Sequence, residues 1–312
     1  MIPNPVIKSI GIFIPENRES NYNLLERFEI NEQFITKKIG VETRAIKDKK
    51  DETSDLCIKA FHDLCRTSQI DLSQINLLCV VTQNPDQKIP HTAAIVHQKL
   101  GLDKSCMTFD ISQGCAGFPH GIAIVSALMR DLNFKNALLF TCDPYSKIVN
   151  PNDKNTSLLF GDAATATLMT NQDDNCGYTL VNANFGTLQN SYSCLTCTDS
   201  LQMSGRDIVS YVLKEVPGSI RELLLNNNLK IQDIDLFVLH QASRTMVELL
   251  RENLNVNEET APFEIMEIGN TVSSSIPIVL KKHVDEKTKK HILISGFGVG
   301  FSFASSLLKL VN

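Results

Sequence analysis

Ile70-Asp-Leu-Ser-Gln-Ile-Asn-Leu-Leu-Cys-Val-Val81 and Leu229-Lys-Ile-Gln-Asp-Ile-Asp-Leu-Phe-Val-Leu-His240 align without a gap. Each ends in an unbroken apolar run of strand length, the pattern of a strand covered on both faces. Further on, Lys135-Asn-Ala-Leu-Leu-Phe140 matches Lys290-His-Ile-Leu-Ile-Ser295 at a slightly shorter offset. Chance similarity of buried strands is the competing reading, but in both halves a helix-plus-strand unit precedes a loop with reactive side chains, which argues for an α/β unit used twice. The seam falls near residues 170–178, where Asn171-Gln-Asp-Asp-Asn175 reads as a loop, giving halves 1–172 and 173–312. Strands are expected over Asn76–Thr82, Ser105–Ile111, Ala137–Thr141 and Ala163–Met169, alternating with helices over Thr92–Leu100 and Gly117–Arg130. Apolar strands between helices predict a sheet with both faces covered, the α/β class.

The 312 residues are enough for one large domain or two halves, and 43% hydrophobic with 21% charged is an ordinary globular composition. Thirty Lys and Arg against 35 Asp and Glu leave a net charge of −5, with no footprint for nucleic acid. MIPNPVIKSI lacks the basic-then-apolar pattern of a secretory signal. The charge-free stretch Ile292 to Leu308 invites a membrane reading, but Gly296, Gly298 and Gly300 break it into two strands and a turn. Nine irregularly spaced cysteines fit a reducing, cytoplasmic setting better than a disulfide framework.

Four segments carry candidate chemistry. Gly114-Cys115-Ala116-Gly117-Phe118 places a thiol at the start of an apolar helix, where the positive end of the helix dipole favours a thiolate. His240-Gln241-Ala242-Ser243 lies at the carboxyl end of the strand Leu236–Leu239, where open α/β sheets build their sites. Gly269-Asn270-Thr271 precedes an apolar segment, and Gly296-Phe297-Gly298-Val299-Gly300 precedes a terminal strand. That last turn is no dinucleotide fingerprint, since no helix follows, but it can present a backbone N–H to an oxyanion. Taken singly, these are a buried cysteine, a structural histidine and two turns; the order Cys–His–Asn–glycine turn is far more specific.

Those residues, with Ser9-Ile-Gly-Ile-Phe-Ile-Pro15, Lys38-Ile-Gly-Val-Glu-Thr-Arg44, Phe160-Gly-Asp-Ala-Ala164 and Met203-Ser-Gly205, make a chain that resembles the β-ketoacyl-acyl-carrier-protein synthase III family of the thiolase superfamily over essentially its whole length. Thiolases carry a second cysteine in the C-terminal glycine turn, absent from Gly296–Gly300; elongating synthases use two histidines where this chain has His240 and Asn270. The resemblance implies a thiolase-like fold of two similar halves in α-β-α-β-α layers, a homodimer, and decarboxylative condensation of an acyl thioester, acyl-coenzyme A for choice, with malonyl-acyl carrier protein. It implies Cys115 as nucleophile, His240 and Asn270 as donors to the malonyl thioester oxygen, and the N–H groups of Cys115 and Val299 as an oxyanion site, with no cofactor and no metal. Transfer of an acyl group to a hydroxyl or amine, or a silent partner subunit, are the alternatives; the silent reading calls for loss of the cysteine.

The resemblance also places Phe34 and Lys154 where relatives clamp the coenzyme A adenine with Trp and Arg, Ser243 where relatives have Asn, and Ile89 at the residue that gates the acyl pocket across the dimer interface. Lys38 and Gly205, in the shared motifs, complete the expected substrate-binding set. Val299 replaces the usual Gly and narrows the pocket. Cys194-Leu-Thr-Cys197 has the spacing of a metal or redox pair but lacks a second pair of ligands. Lys37 to Lys50 holds six basic residues against Glu42 and Asp48, either a solvated face or a patch for an acidic carrier protein.

Overall fold

The computed structural model describes residues 4–171 and 176–311. The expected seam loop, at 172–175 with the 172/173 boundary, and the first three residues lie outside the described residues.

In chain order the first half runs β1 (Val6–Phe13), β2 (Arg18–Ser20), β3 (Thr43–Ala45), α1 (Thr53–Thr67), β4 (Ile75–Val81), α2 (Thr92–Leu100), β5 (Met107–Ile111), α3 (Gly117–Asp131), β6 (Asn136–Cys142), the single turn α4 (Lys154–Ser157) and β7 (Ala164–Thr170). The second has β8 (Gly177–Thr187), β9 (Leu195–Cys197), β10 (Leu201–Met203), α5 (Gly205–Asn226), β11 (Leu236–Leu239), α6 (Arg244–Leu254), α7 (Ser275–Glu286), β12 (His291–Phe297) and β13 (Ser302–Val311). The expected strands and helices form with ends moved by a residue or two. β5 starts at Met107 rather than Ser105 because Asp103 Oδ1 accepts from both N and Oγ of Ser105 and holds a turn there.

The largest sheet has the order β11-β12-β13-β8-β1-β7-β6-β4-β5. β4 and β6 are parallel, and β6, β7 and β1 follow antiparallel; β11 and β12 are parallel, and β12, β13 and β8 follow antiparallel. The unit β4-β6-β7-β1 therefore recurs as β11-β12-β13-β8, and the aligned segments supply β4 with β11 and β6 with β12. The two runs join where β1 meets β8, at Val6↔Thr179 and Ile7↔Tyr178. The second half has no counterpart of β5 among the described residues. The chain after α6 runs irregularly past β11, touching it where Phe237 N donates to Thr260 O at 2.7 Å.

α1 and α2 cover the outer face of the first half's strands, and α5, with α6 packed beside it, that of the second. Between the two runs lie α3 and α7, each touching strands of both. Ile122, Val125, Ile276 and Leu280, all fully buried, fill that middle layer. This is the α-β-α-β-α arrangement, and it explains why α3 is apolar on most sides: a helix between two sheets has little solvent face. No helix among the described residues is long and apolar enough to cross a membrane, and Ile292 to Leu308 forms β12, a turn and part of β13.

Candidate active site

The ends of β5, β11 and β12 and the loop before α7 converge on one buried point. Cys115 sits in a tight 3-10 turn, Gly114–Ala116, between β5 and α3. That turn packs against the end of β12, the turn Val272–Ser274 and the turn Val299–Phe301. Glycine at 298 allows a close approach to the nucleophile: a Cβ there would lie 3.1 Å from Cys115 Cβ and 3.2 Å from Sγ. Val299, beyond it, brings Cγ2 to 3.1 Å of where a Cβ on Gly114 would stand, so the valine crowds the nucleophile turn as its size implies.

His240 leaves β11 with its N–H donating to Ser295 O at 2.8 Å, and its ring meets Phe297 edge-on at 5.4 Å between centroids. Ser275 Oγ lies 2.7 Å from Nδ1 and also accepts from Gln241 N at 3.4 Å. A serine hydroxyl both donates and accepts, so this contact fits the imidazole proton on either ring nitrogen. Burial drives the imidazole pKa down to about 3, so the ring is neutral at physiological pH.

Asn270 faces it, Nδ2 standing 3.5 Å from His240 Nε2 and 3.4 Å from Ala242 O. The amide is fixed from behind: Oδ1 accepts from Val272 N at 2.9 Å, Asn270 N donates to Leu159 O at 2.8 Å, and Gly161 N donates to Asn270 O at 3.0 Å. Gly161 must be glycine, since a Cβ would lie 1.9 Å from Ile268 O. Val272 is held at φ +55°, a costly conformation for a β-branched residue and a sign that the loop is constrained by its surroundings.

The thiol departs from expectation. Cys115 is 4% exposed, and burial, followed by the carboxylate of Asp143, pushes its pKa well up, outweighing a hydrogen bond from its own backbone N–H. The helix begins only at Gly117, so the sulfur precedes the helical first turn instead of capping it. The resting site therefore holds a thiol beside a neutral imidazole.

Asp143, Gln83, Ser275 and Val272 were not singled out by sequence reasoning. Asp143 is fully buried at the end of β6; Oδ1 accepts from Gln83 N at 2.6 Å and Oδ2 from Ser273 Oγ at 2.5 Å. Burial raises its pKa to about 6. The one available signal was its place directly after a buried strand.

A cleft of about 860 Å³ opens beside this centre and is lined by Phe34, Lys38, Lys154, Gly205 and Ser243, five of the six expected substrate contacts. Its walls include Leu159 and Ala242, whose carbonyls hold Asn270. The ammonium groups of Lys38 and Lys154 lie 5.1 and 5.8 Å from the centre of the Phe34 ring. Ser243 also caps α6, its Oγ accepting from Met246 N at 3.3 Å. Ile89 lies outside the cleft and is 85% exposed. The Lys37–Lys50 run is not one patch: Arg44 is buried against Glu19, with Nη2 2.8 Å from the carboxylate, and Lys47 is buried with Nζ on Asp51 O at 2.7 Å. Lys37 and Lys38 remain exposed on the turn carrying Phe34. Cys194 is buried and Cys197 exposed, and no group of three or more metal-ligating side chains forms among the described residues.

Residues 109–188 match the family model for 3-oxoacyl-[acyl-carrier-protein] synthase III, and residues 224–310 match the model for its C-terminal part. A β-ketoacyl-[acyl-carrier-protein] synthase III of Campylobacter jejuni is 32% identical, covering 97% of both chains. One of Clostridium perfringens is 30% identical over 98% of this chain and 99% of its own. The crystal structure of the 3-oxoacyl-(acyl carrier protein) synthase III of Pseudomonas aeruginosa superposes with a TM-score of 0.91 at 25% identity, covering 99% of both chains. The fold is thiolase-like, and the chain belongs to the 3-oxoacyl-[acyl-carrier-protein] synthase III family.

Proposed function

We propose that the protein joins an acyl group from acyl-coenzyme A to malonyl-acyl carrier protein, with loss of carbon dioxide, giving a 3-oxoacyl-acyl carrier protein. The observation that carries this reading is the meeting of His240 Nε2 and Asn270 Nδ2, 3.5 Å apart in a buried site beside Cys115. The thioester enters through the cleft, where the Lys38 and Lys154 ammonium groups attract phosphates and Phe34 offers a ring face. Cys115 Sγ attacks the acyl carbon; the coenzyme A sulfur leaves and takes up the proton the thiol gives away. The tetrahedral oxyanion is met by backbone N–H groups of Cys115 and Val299.

Malonyl thioester then occupies the cleft with its carbonyl oxygen between His240 and Asn270. When the carboxylate leaves as carbon dioxide, its electron pair becomes an enolate whose oxygen both donors stabilise where water is scarce. The enolate carbon attacks the acyl-cysteine and the Cys115 sulfur is released. With its proton on Nε2, a neutral imidazole donates to that oxygen and leaves Nδ1 to accept from Ser275 Oγ.

No cofactor or metal takes part in this scheme. The first half, 1–172, brings the nucleophile, and the second, 173–312, the two donors. The exposed Ile89 gains a role only in a homodimer, by reaching the partner subunit's acyl site, and nine free cysteines favour a reducing compartment. Incubation with an acyl-coenzyme A followed by peptide mass mapping tests the scheme. Acyl label on Cys115 is expected, and label on any of the other eight cysteines with Cys115 free overturns it.

A further inference from the structure

Three consecutive serines follow Val272, and their hydroxyls go different ways. Ser275 meets His240, whereas Ser273 and Ser274 reach out of the second half into the first. Ser273 Oγ donates to Asp143 Oδ2 at 2.5 Å. Ser274 Oγ lies 2.8 Å from Thr141 Oγ1 and 3.1 Å from Thr141 O, near the end of β6. Ser273, Ser274, Thr141 and Asp143 are all fully buried. The other oxygen of Asp143 takes the N–H of Gln83, whose Oε1 would lie 2.5 Å from a Cβ on Gly114, the residue before Cys115. One carboxylate thus holds the turn after Asn270 on one side and a residue packed on the nucleophile turn on the other.

Backbone bonds to Leu159 and Gly161 fix where Asn270 stands, not where its amide points. The amide is aimed by Val272 N, and Val272 has φ +55°, a conformation that persists only where the surroundings hold it. The residues that follow it are Ser273 and Ser274. We propose that these two serines are positioning residues: by fastening the turn after Asn270 to the end of β6, they keep the amide aimed at a thioester oxygen within reach of the acyl group on Cys115. This rests on the reading of Asn270 as a donor to malonyl thioester. A loosened amide still polarises the thioester and lets carbon dioxide leave. The carbanion then forms out of line with the acyl carbon, and small displacements forfeit much of the advantage of proximity. An enolate that misses takes a proton from water and becomes acetyl-acyl carrier protein, while the hydroxide left behind combines with the carbon dioxide as bicarbonate.

The test is the ratio of total carbon dioxide released to 3-oxoacyl product. It uses malonyl-acyl carrier protein labelled with carbon-13 in the malonyl group, together with the acyl-coenzyme A found to load Cys115. Wild type should give a ratio of one. Ser273→Ala and Ser274→Ala should each give about three or more, with the excess matched by labelled acetyl-acyl carrier protein and with acylation of Cys115 within about twofold of wild type. Ser274→Ala leaves Thr141 Oγ1 its contact with Thr165 Oγ1 at 2.7 Å, and it decides the matter should Ser273→Ala fold poorly. Ser9→Ala, which removes a buried hydroxyl 2.6 Å from Ser68 Oγ on the α1 side of β1, controls for lost stability and should keep the ratio at one. A ratio of one in either single variant, or an equal rise in Ser9→Ala, overturns the proposal while leaving Cys115, His240 and Asn270 in their roles. No carbon dioxide from wild type overturns the parent reading and the proposal together.

Discussion

His240 Nε2 and Asn270 Nδ2 face each other at 3.5 Å, an imidazole edge and an amide converging in one buried site. Each is held from behind, the imidazole by Ser275 Oγ and the amide by Val272 N, so the gap is set before substrate arrives. With the imidazole proton on Nε2, the two groups are preorganised N–H donors, and such donors stabilise charge that develops beside them without the cost of reorienting.

His240→Ala and Asn270→Ala are each expected to slow malonyl decarboxylation by about 10²–10³, the usual effect of removing one oxyanion donor, while acylation of Cys115 largely persists. Ser275→Ala should slow decarboxylation by about tenfold, since it removes a buried hydrogen bond that orients the ring. Separate assays of the two half-reactions check this. Near-wild-type decarboxylation by either alanine variant at 240 or 270 contradicts the roles given to them.

Asp143 gives a stability prediction with a definite sign. Its pKa is raised from 3.8 to about 6, so the fold prefers the protonated carboxyl. The associated stability is fully present below about pH 4 and is lost as pH rises through 6, a change of about 3 kcal/mol. Asp143→Asn should therefore gain on wild type between pH 4 and pH 8 in chemical denaturation. Removing that charge should also lower the Cys115 pKa and speed its alkylation by iodoacetamide at neutral pH. A stability difference that stays flat across this range contradicts the assignment.

Gly298→Ala places a methyl group 3.2 Å from Cys115 Sγ. A stability loss of about 1–3 kcal/mol is expected, with a drop in acyl loading far larger than that loss explains. Denaturant midpoints and loading rates measured on the same preparation check it. Unchanged loading contradicts the close approach of the glycine turn to the sulfur.

Much of this was legible in the chain. Continuous apolar runs such as Leu77–Val81 and Leu236–Leu239 announce strands covered on both faces, and the ungapped match between them shows the duplication. Cys115, His240 and Asn270 stand at element ends, where local sequence signals are strong. What stayed hidden depends on contacts between distant segments. The protonation of Cys115 is set by burial and by Asp143, which lies 28 residues away in sequence, and no local pattern reports that. Arg44 and Lys47 read as surface charge until Glu19 and the carbonyl of Asp51 draw them inward. The duplication is also less complete than the aligned strands suggest, because among the described residues β5 has no partner in the second half.

The most direct measurement of the central claim is carbon dioxide release from malonyl-acyl carrier protein, followed together with product in the presence of an acyl-coenzyme A. The account expects one carbon dioxide for each 3-oxoacyl product, with coupled turnover abolished in Cys115→Ala. Acyl transfer to a hydroxyl or amine acceptor while malonyl thioester stays inert and no carbon dioxide appears would contradict it.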